Sequence, residues 1–256
     1  MNSQSALSAE AVWSAIVAEA EDIAAADAVI GDLLSAAIFD QDGLEGALAF
    51  QIGHRLGDGW DRETFSHAAR QAFHASPGMA DAAAADLQGI HRRDPASGGF
   101  LPVFLNFKGY VALQAWRVSN WLWLNDRRDL ALLLQSASSN ALQVSIHPSA
   151  MVGRSVFLDH GTGIVVGAFV TIGDDVTILQ NVTLGRGGEA GGGAPTIGRG
   201  VLLSAGATIL GEVAVGDFAK IGAGAMVIND VPPGCTAVGT PARLVNCPEY
   251  AVMRQL

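Results

Sequence analysis

The sequence predicts an α+β chain in two parts: an N-terminal α-helical domain over residues 1–140 and a parallel β-helix of hexapeptide repeats over 141–245, followed by a short C-terminal tail at 246–256. Two observations carry this. From residue 146 an aliphatic residue returns at every sixth position, first as Ile146, Val152, Leu158, Ile164, Val170, Val176 and Val182, then after a break as Ile197, Leu203, Ile209, Val215, Ile221 and Val227. Before residue 140 the pattern changes to Ala-rich stretches with larger apolar groups at helical spacing. A period of six suits neither a free helix, which repeats every 3.6 residues, nor a lone strand, which alternates every 2. It suits a three-faced prism in which each face takes one hexapeptide.

In the helical part, SAEAVWSAIVAEAEDIAAAD reads as a helix capped by Ser8, with Val12 and Ile16 on one face. Pro77-Gly78 marks a break, PGMADAAAADLQGIHRRD a further helix, and Arg93 to Gly99 a loop. The stretch 108–143 reads as two helices split near Asn125-Asp126, with Trp116, Trp121 and Trp123 packing against the junction with the prism.

In the prism, only the first place of each hexad is expected to face inward, and Gly, Ala and Ser to turn the corners. The two series make thirteen hexads, a little over four coils, each stable only by stacking on the next. Residues 183–196, TLGRGGEAGGGAPT, break the period with six glycines and are expected to project as a loop.

Composition narrows the function. Half of the 256 residues are apolar and 16% charged, as in a folded soluble protein. A net charge of -10 argues against nucleic acid or an anionic membrane surface as partner. No apolar run reaches the length of a membrane span, and the start lacks the basic region of a signal peptide, so a cytoplasmic protein is expected. Cys235 and Cys247 are close enough to pair, but a reduced state is the expectation in that compartment. Nothing resembles a metal-ligand cluster.

Two groups of residues carry chemistry. Asp159-His160, followed by the Gly-rich corner Gly161-Thr162-Gly163, places a carboxylate and an imidazole toward the outer groove. A histidine there can take a proton from a hydroxyl or amine as it attacks an acyl carbon. Lys220, one of only two lysines with Lys108, and Arg243 combine with small residues into a surface fit for a long anionic ligand such as coenzyme A.

The segments RDPA (93–96), KGYVALQAWR (108–117), IHPSA (146–150), LDHGTGIVVG (158–167), ILQNVTLG (178–185), KIGAGA (220–225) and VPPG followed by GTPAR (231–243) together resemble the serine O-acetyltransferases among the hexapeptide-repeat acyltransferases. The resemblance covers nearly the whole chain, and LDHGTGIVVG with RDPA marks this branch over the sugar and antibiotic acetyltransferases. It implies a left-handed parallel β-helix, a homotrimer or dimer of trimers, active sites between neighbouring prisms, and acetyl-CoA as co-substrate with no metal. It implies His160 as general base for direct attack by the hydroxyl of L-serine. Asp159 and Asp94 would hold the acceptor's ammonium, and Gly185, Ala205, Lys220, Ala223 and Arg243 the coenzyme.

Three departures lie on the acceptor side. Where the family has an aspartate that orients the histidine, this chain has Ser145. Where it has Arg-His gripping the substrate carboxylate, this chain reads Gly193-Ala194. Where it has a second glycine after VTL, this chain has Arg186, which is expected to replace the lost cation. The departures leave room for a different small amine or hydroxyl acceptor, or for an inactive regulatory relative. They also predict weak inhibition by cysteine; a sub-micromolar inhibition constant would overturn that. Because the family's tail usually ends in Ile and this chain ends in Leu256, a stable complex with O-acetylserine sulfhydrylase is not expected.

Overall fold

The computed structural model describes residues 7–59, 61–187 and 192–248. Eight α-helices come first: α1 (Ala9–Ala26), α2 (Ala28–Leu34), α3 (Leu44–Leu56), α4 (Asp61–Ala75), α5 (Gly78–Arg93), α6 (Phe100–Asn106), α7 (Lys108–Leu124) and α8 (Arg128–Leu142), with a π-helical turn at Ser35–Phe39. Local chemistry sets several ends. Ser8 caps α1 by accepting from the Ala11 N–H at 3.2 Å, and Pro77 stands at the start of α5. The split expected near Asn125-Asp126 separates α7 from α8.

The rest is a parallel β-helix with three sheets as its faces. The first face stacks Val144–Ile146, Ile164–Val166, Thr183–Gly185, Thr208–Leu210 and Met226–Val227. The second stacks Met151–Val152, Thr171–Ile172, Thr196–Ile197 and Ala214–Val215. The third stacks Phe157–Leu158, Thr177–Ile178, Leu202–Leu203, Lys220–Ile221 and Thr236–Val238, and ends in the antiparallel strand Arg243–Val245.

Four details differ from the sequence reading. Two places in each hexad face inward, not one: Val176 and Ile178 are both buried, as are Val201 and Leu203. Strand alternation requires this, since residues i and i+2 share a face. The aliphatic series also hides a change of phase. Ile146 stacks on Val166, and Val166 on Leu184, so the step from Leu158 to Val166 is eight residues rather than six. The surplus of two falls in Asp159–Gly163. The projecting loop is shorter than 183–196, because Thr183–Gly185 and Thr196–Ile197 remain strands. Finally, Cys235 and Cys247 are not reduced but joined in a disulfide, with Cα atoms 4.2 Å apart. The hairpin between them pairs Thr236 with Val245 and so brings both cysteines to one end.

Corners use the left-handed backbone region, but not only through glycine. Ser155, Phe169, Asp175, Asn181 and Phe218 all have φ between 56° and 65°.

The helical part is fastened to the prism by polar contacts. Asp86 of α5 and Arg117 of α7 form a buried ion pair at 2.6 Å. Arg117 also donates to the Gly153 carbonyl at 2.9 Å, and Asp86 accepts from the Val156 N–H at 3.0 Å. Trp116 donates to the His147 carbonyl at 3.3 Å, and Trp123 meets the His147 ring edge-on. Among the described residues no helix is long and apolar enough to cross a membrane. The tail from residue 249, on which the expectation about the sulfhydrylase rests, lies outside the described residues.

Candidate functional site

The two surplus residues of the first coil build the centre of the site. They push His160 out of the corner between the third and first faces, with φ 58°, and leave its side chain 68% exposed. Gly161 and Gly163 follow at φ 71° and 72°, conformations open to glycine at little cost. Side chains there would collide as well: a Cβ on Gly163 would run into the Asn181 amide of the next coil, and one on Gly109, at the start of α7, into the Leu158 carbonyl. The helical part thus packs directly against the turn. Lys108 fixes its far side by donating to the Thr162 hydroxyl at 2.6 Å.

Asp159 lies beside His160, but its Oδ1 is 3.6 Å from Nε2. That is an ion-pair distance, outside the range of a hydrogen bond. Ser145 is no substitute carboxylate: its hydroxyl accepts from the Gln135 amide at 3.2 Å. Asp94 ends α5 and closes its own turn by accepting from the Ala96 N–H at 2.8 Å. Its neighbour Arg93 is anchored on the prism, donating to the Asp175 carbonyl at 2.7 Å, to the Thr177 hydroxyl at 3.2 Å and to the Ser155 carbonyl.

Below the bulge, the same edge is a column of corners. The N–H of Asn181 bonds the Thr162 carbonyl, that of Gly206 the Gln180 carbonyl, and that of Gly224 the Ala205 carbonyl. Thr162, Gln180, Ala205 and Ala223 therefore succeed one another at the third-to-first edge, about 4.8 Å apart. Lys220 and Arg243 are exposed on the adjoining third face, joined through the strand Thr236–Val238 that pairs with both.

The remaining expected residues are elsewhere. Gly185 closes a strand at the opposite border of the first face, against Leu210. Arg186 follows it, donating through Nε to the Gly192 carbonyl at 2.9 Å and stacking over the Phe169 ring at 5.5 Å. The structure thus gathers Asp159, His160, Ala205, Ala223, Lys220 and Arg243 along one edge and its flank, and sets Gly185 and Arg186 on the first-to-second edge. Among the described residues no cluster of three or more His, Cys, Asp or Glu could hold a metal ion.

The chain as a whole resembles known proteins in sequence and fold. Residues 12–115 fit the family described as serine acetyltransferase, N-terminal. The serine acetyltransferase of Escherichia coli (strain K12) is 43% identical over 242 residues, 94% of this chain and 89% of that protein. The chain belongs to the serine acetyltransferase family. Among solved structures, soybean serine acetyltransferase complexed with serine superimposes with a TM-score of 0.89 at 44% identity, covering 93% of this chain and 98% of that one. A serine acetyltransferase in complex with CoA gives 0.88 at 39%, covering 91% and 98%.

Two residues of this edge carry no signal in the hexad period: Lys108, which pins the His160 turn from the start of α7, and Gln180, which occupies the next corner.

Proposed function

We propose that the chain transfers the acetyl group of acetyl-CoA to the hydroxyl of L-serine, giving O-acetyl-L-serine, by direct attack with His160 as general base. The observation that carries this reading is His160 on its two-residue bulge at the head of the column ending in Ala205 and Ala223. Nε2 takes the hydroxyl proton as the serine oxygen bonds to the thioester carbonyl carbon. The carbon–sulfur bond then breaks, and the coenzyme leaves as a thiolate that takes up the proton. Asp159 and Asp94 face the acceptor's ammonium. The small side chains of Ala205 and Ala223 let the coenzyme lie close to the backbone, and Lys220 and Arg243 meet its phosphates.

Within this reading the protein works in the cytoplasm as a homotrimer or a dimer of trimers. The loop edge with Gly185 and Arg186 is one face away from His160, so a neighbouring prism is needed to bring the two edges together. Exposed apolar residues on and beside the first face, Val165, Phe169 and Met226, suit such a contact. Val29, 85% exposed, and Leu33 on α2 suit the pairing of trimers.

The test is release of free thiol from acetyl-CoA across L-serine, D-serine, homoserine and small amines. Turnover with L-serine supports the reading. A second reading, another small amine or hydroxyl acceptor, is favoured by Gly193-Ala194, which supply no cation, and by Ser145, which supplies no charge; turnover only with another compound selects it. In either case Arg186→Ala is expected to raise the acceptor KM about tenfold or more, as loss of a charge-assisted hydrogen bond would. An unchanged acceptor KM removes Arg186 from the site.

A further inference from the structure

Cys235 and Cys247 stand at the open end of the hairpin that closes the prism, one just before the strand Thr236–Val238 and the other just past Arg243–Val245. Their disulfide fastens that end. Among the described residues little else holds the last strand, since Arg243 and Val245 are exposed and Leu244 is half-buried. It pairs with its neighbour only through Thr236–Val245, Ala237–Leu244 and Val238–Arg243. At the turn, the Ala242 N–H donates to the Met226 carbonyl at 2.8 Å and the Thr240 hydroxyl to the Gly224 carbonyl at 3.2 Å. The two cysteines differ in access: Cys235 is fully buried and Cys247 half-buried.

We infer that this pair is a reversible modification site, at which low-molecular-weight thiols attack Cys247, and that its oxidation state sets the grip of Arg243 on the coenzyme. This rests on the coenzyme A and cytoplasmic readings above. In a reducing compartment a disulfide is usually transient or redox-sensing rather than a permanent staple. A small thiolate attacks the more accessible sulfur, Cys247 Sγ, and a mixed disulfide forms there. The bond to Cys235 breaks, and its electron pair goes to the Cys235 sulfur, which takes up a proton. A second thiolate attacks the mixed disulfide, forming a small disulfide and releasing Cys247 as a thiolate. Two small thiols are thus oxidised as the protein disulfide is reduced, and a small disulfide drives the same steps backwards. Reduction frees the open end of a strand that buries little, so it frays from Val245 toward Arg243. The guanidinium must then be ordered anew each time the coenzyme's phosphates bind. His160 heads the opposite end of the column and is untouched.

The experiment equilibrates the full chain in a series of reduced and oxidised glutathione buffers. Alkylation with iodoacetamide and intact mass read the disulfide. Loss of thioester absorbance gives both Michaelis constants, because thiol detection would count the buffer. The pair is expected to interconvert across the series. The reduced form is expected to show an acetyl-CoA KM about threefold to tenfold above the oxidised one, at most the loss of one charge-assisted hydrogen bond, with the acceptor KM within about twofold. Cys247→Ser is expected to match the reduced form in every buffer. Arg243→Ala is expected to raise the acetyl-CoA KM of the oxidised form and to erase the difference between the two states, which a general loosening of the prism would not do. A pair that stays joined, or stays open, across the whole series overturns the site. Equal acetyl-CoA KM in the two states overturns its role, as does a redox response that survives in Cys247→Ser or Arg243→Ala. If Arg243→Ala leaves the acetyl-CoA KM of the oxidised form unchanged, the coenzyme reading of Arg243 fails and the role given to the pair fails with it, while the mass readout still decides whether the site is reversible.

Discussion

His160→Ala is expected to lower kcat with the best acceptor by about 10³-fold, within the range that a positioned general base supplies, while leaving the protein folded and able to bind coenzyme A. The side chain is 68% exposed and, among the described residues, hydrogen-bonds no other element, so its removal takes away little packing. Under the proposed mechanism, what is lost is the proton acceptor at the reacting oxygen. The size of the loss matters here because, among the described residues, no carboxylate holds the imidazole by a hydrogen bond. Asp159 stands at 3.6 Å and Ser145 is engaged by Gln135. The ring is placed by its backbone instead: a left-handed His160, two glycines at positive φ, and a Thr162 fixed by Lys108. Steady-state rates with thiol detection, together with the coenzyme-induced rise in melting temperature, check both halves of the prediction. A rate within tenfold of wild type would show that another group takes the proton.

The prism was legible because its core repeats: a solenoid must bury equivalent aliphatic residues in every coil, and Ile197 to Val227 keep that step without error. The same regularity concealed the site. Ile164 keeps the six-residue step from Leu158, yet it stacks on Val144, and it is Val166 that stacks on Ile146. Both inward positions of a hexad can carry Ile or Val, so a slip of two residues leaves the aliphatic count unbroken. Corners held by Phe169 and Phe218 were illegible for another reason: bulky residues rarely take positive φ, and only the stacked coils impose it. Asp159, His160, Lys220 and Arg243 could be picked out as chemical groups, but their shared edge could not. The separation of Arg186 from His160 follows from which corner each occupies, and that depends on counting the slip. The disulfide depends on a hairpin outside the repeat.

Asp86→Ala is expected to destabilise the protein by about 3–5 kcal/mol, the loss typical of breaking a buried ion pair from one side. Asp86 is fully buried and takes four hydrogen bonds, from Arg117 Nη2 and Nε, Gln114 and the Val156 N–H. Burial pushes its carboxyl above the usual range, against the Arg117 charge and these bonds, which pull it down. The alanine removes the carboxylate and leaves a buried guanidinium facing an apolar space, with the Val156 N–H unpaired. Because Arg117 also holds the Gly153 carbonyl, the damage falls on the joint between helices and prism. Asp86→Leu with Arg117→Met tests the cause. If the loss comes from an uncompensated charge, the double variant regains most of it, since apolar pairs of similar volume often replace buried ion pairs without penalty. If it comes from lost anchoring of Gly153 and Val156, the double variant stays as weak as the single one. Urea midpoints for wild type, the single variant and the double variant separate the two causes, and a single-variant loss below about 1 kcal/mol would place the strength of the joint elsewhere.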